Sequence, residues 1–190
     1  MRVKHPAWHN APVPSFGALD AALLIVGLAP GLKGANATGR PFTGDWAGDL
    51  LYSTLIGKGC ARGHYDERRD DGLELIDCRI TNAVRCVPPA NRPTTAEGAA
   101  CRPFLAKEMA AMPRLRGALA IGGFAHQAIL MARQCKKSAY PFAHGALHRL
   151  PDGFLLIDSY HCSRLNTNTG RLTEAMFHQV FDDAIAAMRQ

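Results

Sequence analysis

Short, nearly continuous apolar runs recur along the chain at Ala22 to Ala29, Cys78 to Val84, Leu115 to Ile121 and Phe154 to Ser159. Such density, without strict alternation, is that of strands covered on both faces in a parallel sheet. Between the runs, apolar residues return every third or fourth position. Asp45 or Trp46 to Gly57 suits a helix with Leu50, Leu51 and Leu55 on one side. Thr94-Thr95-Ala96-Glu97 reads as a capping box, in which Thr and Glu each bond the other's backbone amide. A helix should open there and run to about Met112, disturbed near Pro103. Phe124 to Arg133 follows as a helix, and Phe177, Val180, Phe181, Ala184, Ile185 and Met188 form the buried stripe of a last one. Strand and helix alternate throughout, which predicts an α/β fold: a three-layer αβα sandwich around a central, mainly parallel four-stranded sheet. Residues 1–20, rich in proline and aromatics, are expected to wrap as an irregular arm, and Arg62 to Asp71 to form a charged surface excursion.

The length of 190 residues suits a single domain spanning 1–190. Twenty-two basic against sixteen acidic residues give a net charge of +6, which favours an anionic partner, nucleic acid being the commonest. No apolar run approaches the roughly 20 residues of a membrane span. Met1-Arg2-Val3-Lys4-His5-Pro6 has no apolar core of a secretory signal, so the expected location is cytoplasmic. Six cysteines with no CxxC pair argue against a disulfide framework.

Candidate chemistry sits where the runs end, because ligands of α/β proteins bind outside the carboxyl ends of strands. The first loop, Gly27-Leu28-Ala29-Pro30-Gly31 through Gly39-Arg40-Pro41-Phe42-Thr43-Gly44-Asp45, is punctuated by glycines that let backbone amides approach a ligand. It matches neither GxxxxGK[ST] nor GxGxxG, so a nucleotide-triphosphate or dinucleotide site is poorly supported. Asp45 has an ordinary alternative as the N-cap of the following helix, and Phe42 as a core residue. The second loop follows Thr81-Asn82-Ala83-Val84, where the Asn82 amide either bonds neighbouring backbone or reads the edge of a nucleobase. The third is Ser159-Tyr160-His161-Cys162-Ser163-Arg164-Leu165-Asn166, continuing to Arg171. Here His161 is either structural or catalytic. Cys162 is a poor candidate nucleophile, because adjacency in sequence to His161 does not activate a thiol.

Together these stretches resemble the uracil-DNA glycosylase superfamily, and most closely its B-type branch, family five. The resemblance rests on Gly27–Gly31 with Thr38–Asp45, on Thr81–Pro89, on Ser159–Ser163 with Asn166–Thr173, and on Pro12–Gly17, and it extends from about His5 to Phe181. It implies a monofunctional enzyme that flips a damaged base from DNA and hydrolyses its N-glycosidic bond, starting base excision repair. In the roles it implies, His161 donates to the base oxygen that gains charge, and Asp45 stabilises the sugar cation or positions water. Phe42 stacks on the base, Asn82 reads its edge, and the backbone at Gly27, Leu28 and Ala29 assists. Leu28 and Ala29 stand where other branches place a polar catalytic residue. Leu165 or its neighbours would wedge into the vacated stack, with Ser163, Arg164, Asn166 and Arg171 along the DNA. The implied partner is DNA carrying a deaminated base: uracil, with hypoxanthine and xanthine left open. A monomer is expected, associated with the nucleoid through DNA.

Related enzymes of this branch hold a [4Fe-4S] cluster on four cysteines, beginning with a CxxC pair. Cys86 and Cys101 look like the second half of that set, and the first half is missing. Either a preceding segment carries it in a full-length form or the cluster has been lost; the chain as given is expected to hold none. Two other classes use part of the same features. A non-catalytic nucleic-acid binder needs the basic surface without Asp45 and His161 in one pocket, and a nucleoside or nucleotide hydrolase needs the pocket without a track for DNA.

Overall fold

The computed structural model describes residues 3–189. In chain order the elements are β1 (Leu23–Gly27), α1 (Ala35–Thr38), α2 (Trp46–Gly57), β2 (Ala61–Arg62), β3 (Glu74–Leu75), β4 (Cys78–Asn82), α3 (Thr95–Ala111), β5 (Gly117–Ile121), α4 (Gly123–Ala132), β6 (Leu147–Arg149), β7 (Leu155–Ser159), α5 (Arg164–Asn168) and α6 (Glu174–Met188). The main sheet has the order β4-β1-β5-β7-β6, and its first four strands are parallel. The expected four strands are therefore joined by a fifth, β6, which pairs antiparallel at the edge beside β7. Three residues with partly exposed side chains carry no continuous apolar run, and an edge strand needs none. A separate ribbon of β2 and β3 lies outside the sheet.

Side chains alternate along each strand, so successive residues enter different layers. Leu23, Ile25, Ile80, Leu119, Leu155 and Ile157 face one layer, where Leu51, Tyr52 and Leu55 of α2 meet Phe177, Val180 and Phe181 of α6. Leu24, Val26, Ala118, Ala120 and Leu156 face the other, packed by Leu105 and Met109 of α3 and Ile129 and Leu130 of α4. The capping box opening α3 forms as expected, with the Glu97 amide donating to Thr94 Oγ1 at 3.2 Å and the Thr94 amide to Glu97 Oε2 at 2.7 Å. The expected disturbance at Pro103 is absent, since α3 runs through it unbroken. Proline removes one ladder bond, and here its ring is exposed while Leu105 and Met109 hold the following turn to the core.

Over residues 3–20 the expected arm is irregular but strapped down, its first two residues lying outside the described ones. Phe16 exchanges two backbone bonds with Ile80 on β4, and His9 and Asn10 donate backbone amides to Ala37 and Asn36 beside the glycine-rich loop. Register brings the strand ends level: Gly27 pairs with Asn82, and Ile121 with Ser159. The chain leaves β1 toward β4 on one side and β5 on the other, so the sheet reverses its order between β1 and β5. A crevice opens there, at the carboxyl ends of the strands.

Candidate active site

Four strand-end segments wall this crevice, a cleft of about 660 Å³. The loop after β1 supplies Leu28, Ala29, Gly31, Phe42 and Asp45; β4 supplies Asn82; β5 leads into Gly122, Gly123 and Phe124; β7 leads into His161, Ser163 and Arg164. The Phe42 and His161 rings face each other with centroids 6.3 Å apart, well inside the reach of one nucleobase. The Gly122–Phe124 wall was not singled out from the sequence, although a glycine pair closing an apolar strand is the same signal that marks Gly27 to Gly31. Asn91 and Arg92, which also line the cleft, gave no such signal.

Phe42 is held in a backbone conformation that few side chains adopt, with φ of 59°. Several contacts impose it. A methyl group on Gly48 would lie 1.8 Å from the Phe42 carbonyl oxygen, so only glycine there lets α2 pack against this loop. Tyr52 donates its hydroxyl to the Pro41 carbonyl at 2.6 Å, and the Arg40 guanidinium makes a bidentate pair with Asp71 at 2.7 and 2.6 Å. Arg40 also donates to Thr43 and lies among the Phe16, Tyr52 and Tyr65 rings. Burial works to raise the Asp71 pKa, but the Arg40 bonds and the amides of Asp66 and Leu73 outweigh it and hold the carboxyl well below its usual range. The charged excursion of residues 62–71 thus ends in a buried anchor for the Phe42 loop, which the sequence reading treated only as surface.

Beneath Phe42 lies Gly27. A methyl group there would stand 2.4 Å from Asn82 Oδ1 and 2.5 Å from Phe42 Cζ, so the glycine makes room for ring and amide together. Asn82 is 5% exposed, yet no described residue hydrogen-bonds its side chain. The amide faces the cleft rather than neighbouring backbone.

Asp45 occupies the N-cap position of α2 but makes no side-chain capping bond. Its carboxylate turns instead onto the glycine loop, accepting from the Ala35 amide at 3.4 Å and from the Gly31 amide. Methyl groups on Gly31 or Gly34 would collide with it, at 2.5 and 2.0 Å. Burial raises the Asp45 pKa against the pull of these amides. The N-cap alternative for this side chain is therefore set aside.

His161 is buried enough to push its pKa down to about 4, so its imidazole is neutral at pH 7. Its Nδ1 is buried and finds no hydrogen-bond partner among the described residues. Asn166 donates to the His161 carbonyl at 2.8 Å, and Ser163 caps α5, so both shape the loop that carries the ring. Leu165 projects into solvent at 71% exposure. Arg164 lies over the Trp46 ring and Arg171 over the Tyr160 ring. Cys162 is fully buried, donates to the Ala47 carbonyl, and has its thiol pushed up to about 12 by burial, which removes it as a nucleophile.

Cys86 and Cys101 lie near each other: burial raises the Cys86 pKa first, and the neighbouring Cys101 adds to it. Among the described residues no third His, Cys, Asp or Glu converges with them, and two thiols do not fit a four-thiolate cluster. The group that does gather three possible metal ligands is His126, His148 and Asp158. His126 Nε2 bonds the Tyr140 carbonyl at 2.9 Å, so that nitrogen carries hydrogen; Nδ1 meets Asp158 Oδ1 at 2.7 Å, a hydrogen-bond length with a proton between two acceptors. His148 completes the carboxylate at 3.3 Å. This network ties α4 to β7 behind the cleft wall.

A family model described as the uracil DNA glycosylase superfamily matches residues 14–185 of the chain. The chain is 46% identical over 179 residues to a type-5 uracil-DNA glycosylase of Thermus thermophilus, covering 94% of this chain and 81% of that protein. Type-5 uracil-DNA glycosylases of Mycobacterium leprae and Pyrobaculum aerophilum are 44% and 41% identical, over 94% and 96% of this chain and 79% and 80% of their own.

Proposed function

The chain belongs to the uracil-DNA glycosylase superfamily, and from that premise we propose that it is a monofunctional type-5 uracil-DNA glycosylase that starts base excision repair. The observation that carries this reading is one cleft in which a half-buried neutral imidazole with an orphaned ring nitrogen, an amide unpaired among the described residues, an aromatic face and a half-buried carboxylate converge. A base extruded from the stack enters against the Phe42 ring. Uracil presents a carbonyl beside an N–H, and the Asn82 amide offers a donor beside an acceptor. Hypoxanthine and xanthine present the same carbonyl and N–H pair, which supports a range extending to them. Cytosine and adenine present an amino group beside a bare ring nitrogen.

As the bond from C1′ to the base breaks, its electron pair leaves with the base and positive charge grows on the sugar. His161 donates a hydrogen bond to the base oxygen that gains charge; a neutral imidazole does so without neutralising the anion by proton transfer. The Leu28 and Ala29 amides assist. Asp45 stabilises the cation and accepts a proton from the water whose oxygen attacks C1′, and its raised pKa makes it the better proton acceptor. Arg164, Leu165 and Arg171 face the DNA. The enzyme works as a monomer and in the cytoplasm, at the nucleoid; among the described residues no helix is long and apolar enough to cross a membrane. No step of the reaction runs through an iron–sulfur cluster; among the described residues Cys86 and Cys101 have no third ligand beside them.

Oligonucleotides carrying uracil, hypoxanthine or xanthine, followed by alkaline cleavage of abasic sites, test the reading. Strand scission at uracil is expected, with no release from free deoxyuridine. Release from the free nucleoside alone would instead identify a nucleoside hydrolase, and salt-sensitive binding without scission a nucleic-acid binder.

A further inference from the structure

One aromatic residue at the lip of the cleft has no role in the chemistry above. Trp46, the first residue of α2, directly follows Asp45 and is 51% exposed. Leaving so much indole in water forgoes burial of its apolar surface, and large exposed aromatics held rigid are characteristic of binding surfaces. The ring is fixed in place. Its Nε1–H donates to Thr167 Oγ1 of α5 at 3.1 Å, and the Arg164 guanidinium lies 5.3 Å from its centre. Among the described residues no acid pairs with Arg164, which leaves its charge free for a phosphate. Trp46 also forms the ridge between the base cleft and a second groove of about 700 Å³, whose floor includes Leu50 and Leu172 and whose rim includes Asp49, Asn168 and Glu174.

We propose that Trp46 is the platform on which the nucleobase next to the extruded one stacks, so that the enzyme grips two successive unstacked nucleotides of the damaged strand. The inference rests on the glycosylase reading, because the first of the two is the base held against Phe42. An indole face accepts any base, and the groove's apolar floor continues the stacking surface. Asp49 and Glu174 repel phosphate, so the base edge points into the groove and the backbone runs on the Arg164 side. Exposed Leu165, one residue on, occupies the space that the bases leave.

Trp8 and Trp46 are the two tryptophans of the chain, so Trp8→Phe leaves Trp46 as the sole emitter. In that background an undamaged single-stranded oligonucleotide should quench tryptophan fluorescence. Trp46→Ala should weaken binding of that oligonucleotide about tenfold, the loss of one base–aromatic stack, while Trp46→Phe recovers most of it. Unquenched emission, or Trp46→Ala binding as tightly as the parent, overturns the proposal. Uracil release by the parent protein reads the parent hypothesis separately. If the parent releases uracil and Trp46→Ala binds normally, the platform falls and the glycosylase stands. If the parent releases no base but Trp46 is quenched and its alanine variant binds weakly, the platform stands and the glycosylase falls.

Discussion

Replacing Asp45 by asparagine separates its two possible roles with opposite signs in two measurements. A carboxylate that caps α2 would contribute stability, and losing a cap costs about 0.5–2 kcal/mol while leaving chemistry alone. The structure shows no such bond: the side chain lies against Gly31 and Gly34 and accepts from the Ala35 and Gly31 amides. Burial dominates its environment and raises its pKa. A carboxyl whose folded pKa lies above its unfolded value stabilises the protein while protonated. That stability is lost as pH rises through the folded pKa, so at pH 7 the wild type carries the penalty of a half-buried charge. Asp45→Asn keeps shape and volume, removes the charge, and should leave stability at pH 7 unchanged or increased. Base release should fall about 10²- to 10³-fold, the usual loss when a group aimed at developing charge is removed. The assays are urea unfolding at pH 7 and single-turnover uracil release with enzyme in excess. A variant that loses about 1 kcal/mol of stability but releases uracil within threefold of wild type would refute the assignment and restore the cap.

Four further outcomes are expected. With burial holding His161 near pH 4, its imidazole stays neutral on acidification through the ordinary histidine range. Residual base release by Asp45→Asn should therefore stay level down to pH 5, and an acid limb centred near 6.5 would contradict a buried neutral His161. The same depressed pKa means that its contribution to stability is present above the unfolded value and lost as pH falls from about 6.5 toward 4, which acid titration of unfolding reads directly. Gly27→Ala should abolish detectable uracil release without unfolding the protein, because its methyl group would stand 2.4 Å from Asn82 Oδ1 and 2.5 Å from Phe42 Cζ. Wild-type rates in that variant would show that the base does not lie there. Asp158→Asn should destabilise by about 1–3 kcal/mol, because an amide cannot accept from both the His126 and the His148 ring and leaves one of these contacts unmade, and a change below about 0.5 kcal/mol in urea unfolding would remove that network from the fold's support.

The parallel strands were legible because burial on both faces writes itself into near-continuous apolar runs. β6 was not, since Leu147-His148-Arg149 sits at an edge with partly exposed side chains and needs no such run. The site was legible in its residues but not in its geometry. Asp45 precedes a helix, and sequence offers no means of telling a carboxylate that turns forward to cap from one that turns back onto a glycine loop. Arg40 and Asp71 lie thirty-one positions apart and pair across the fold, and neither belongs to a pattern that predicts the other. Pro103 shows the reverse: a local rule that packing overrides, because one lost ladder bond weighs less than a helix anchored by its capping box and by Leu105 and Met109.

What distinguishes the cleft from the rest of the interior is where polar groups are left wanting. Outside it, Arg102 Nε is the other buried side-chain atom without a partner among the described residues, while the remaining buried clusters are matched: Arg40 with Asp71, Arg79 and Arg85 with Glu108, the His126 and His148 rings with Asp158. Each such group has partners in the protein, as folding requires of a buried polar atom. In the cleft the pattern inverts. Among the described residues His161 Nδ1 is orphaned and the Asn82 amide is unpaired, while Asp45 keeps a charge that burial disfavours and Phe42 holds an unfavourable φ. Four separate penalties on three strand-end segments, meeting within one crevice, would not survive if folding alone set the sequence. They are offset elsewhere by the core and by the Arg40–Asp71 anchor that fixes the Phe42 loop. The groups whose needs the fold leaves unmet are those that a bound base, an attacking water and a developing charge would satisfy. For the same reason, removing the Asp45 charge and removing the Arg40–Asp71 pair should move stability in opposite directions.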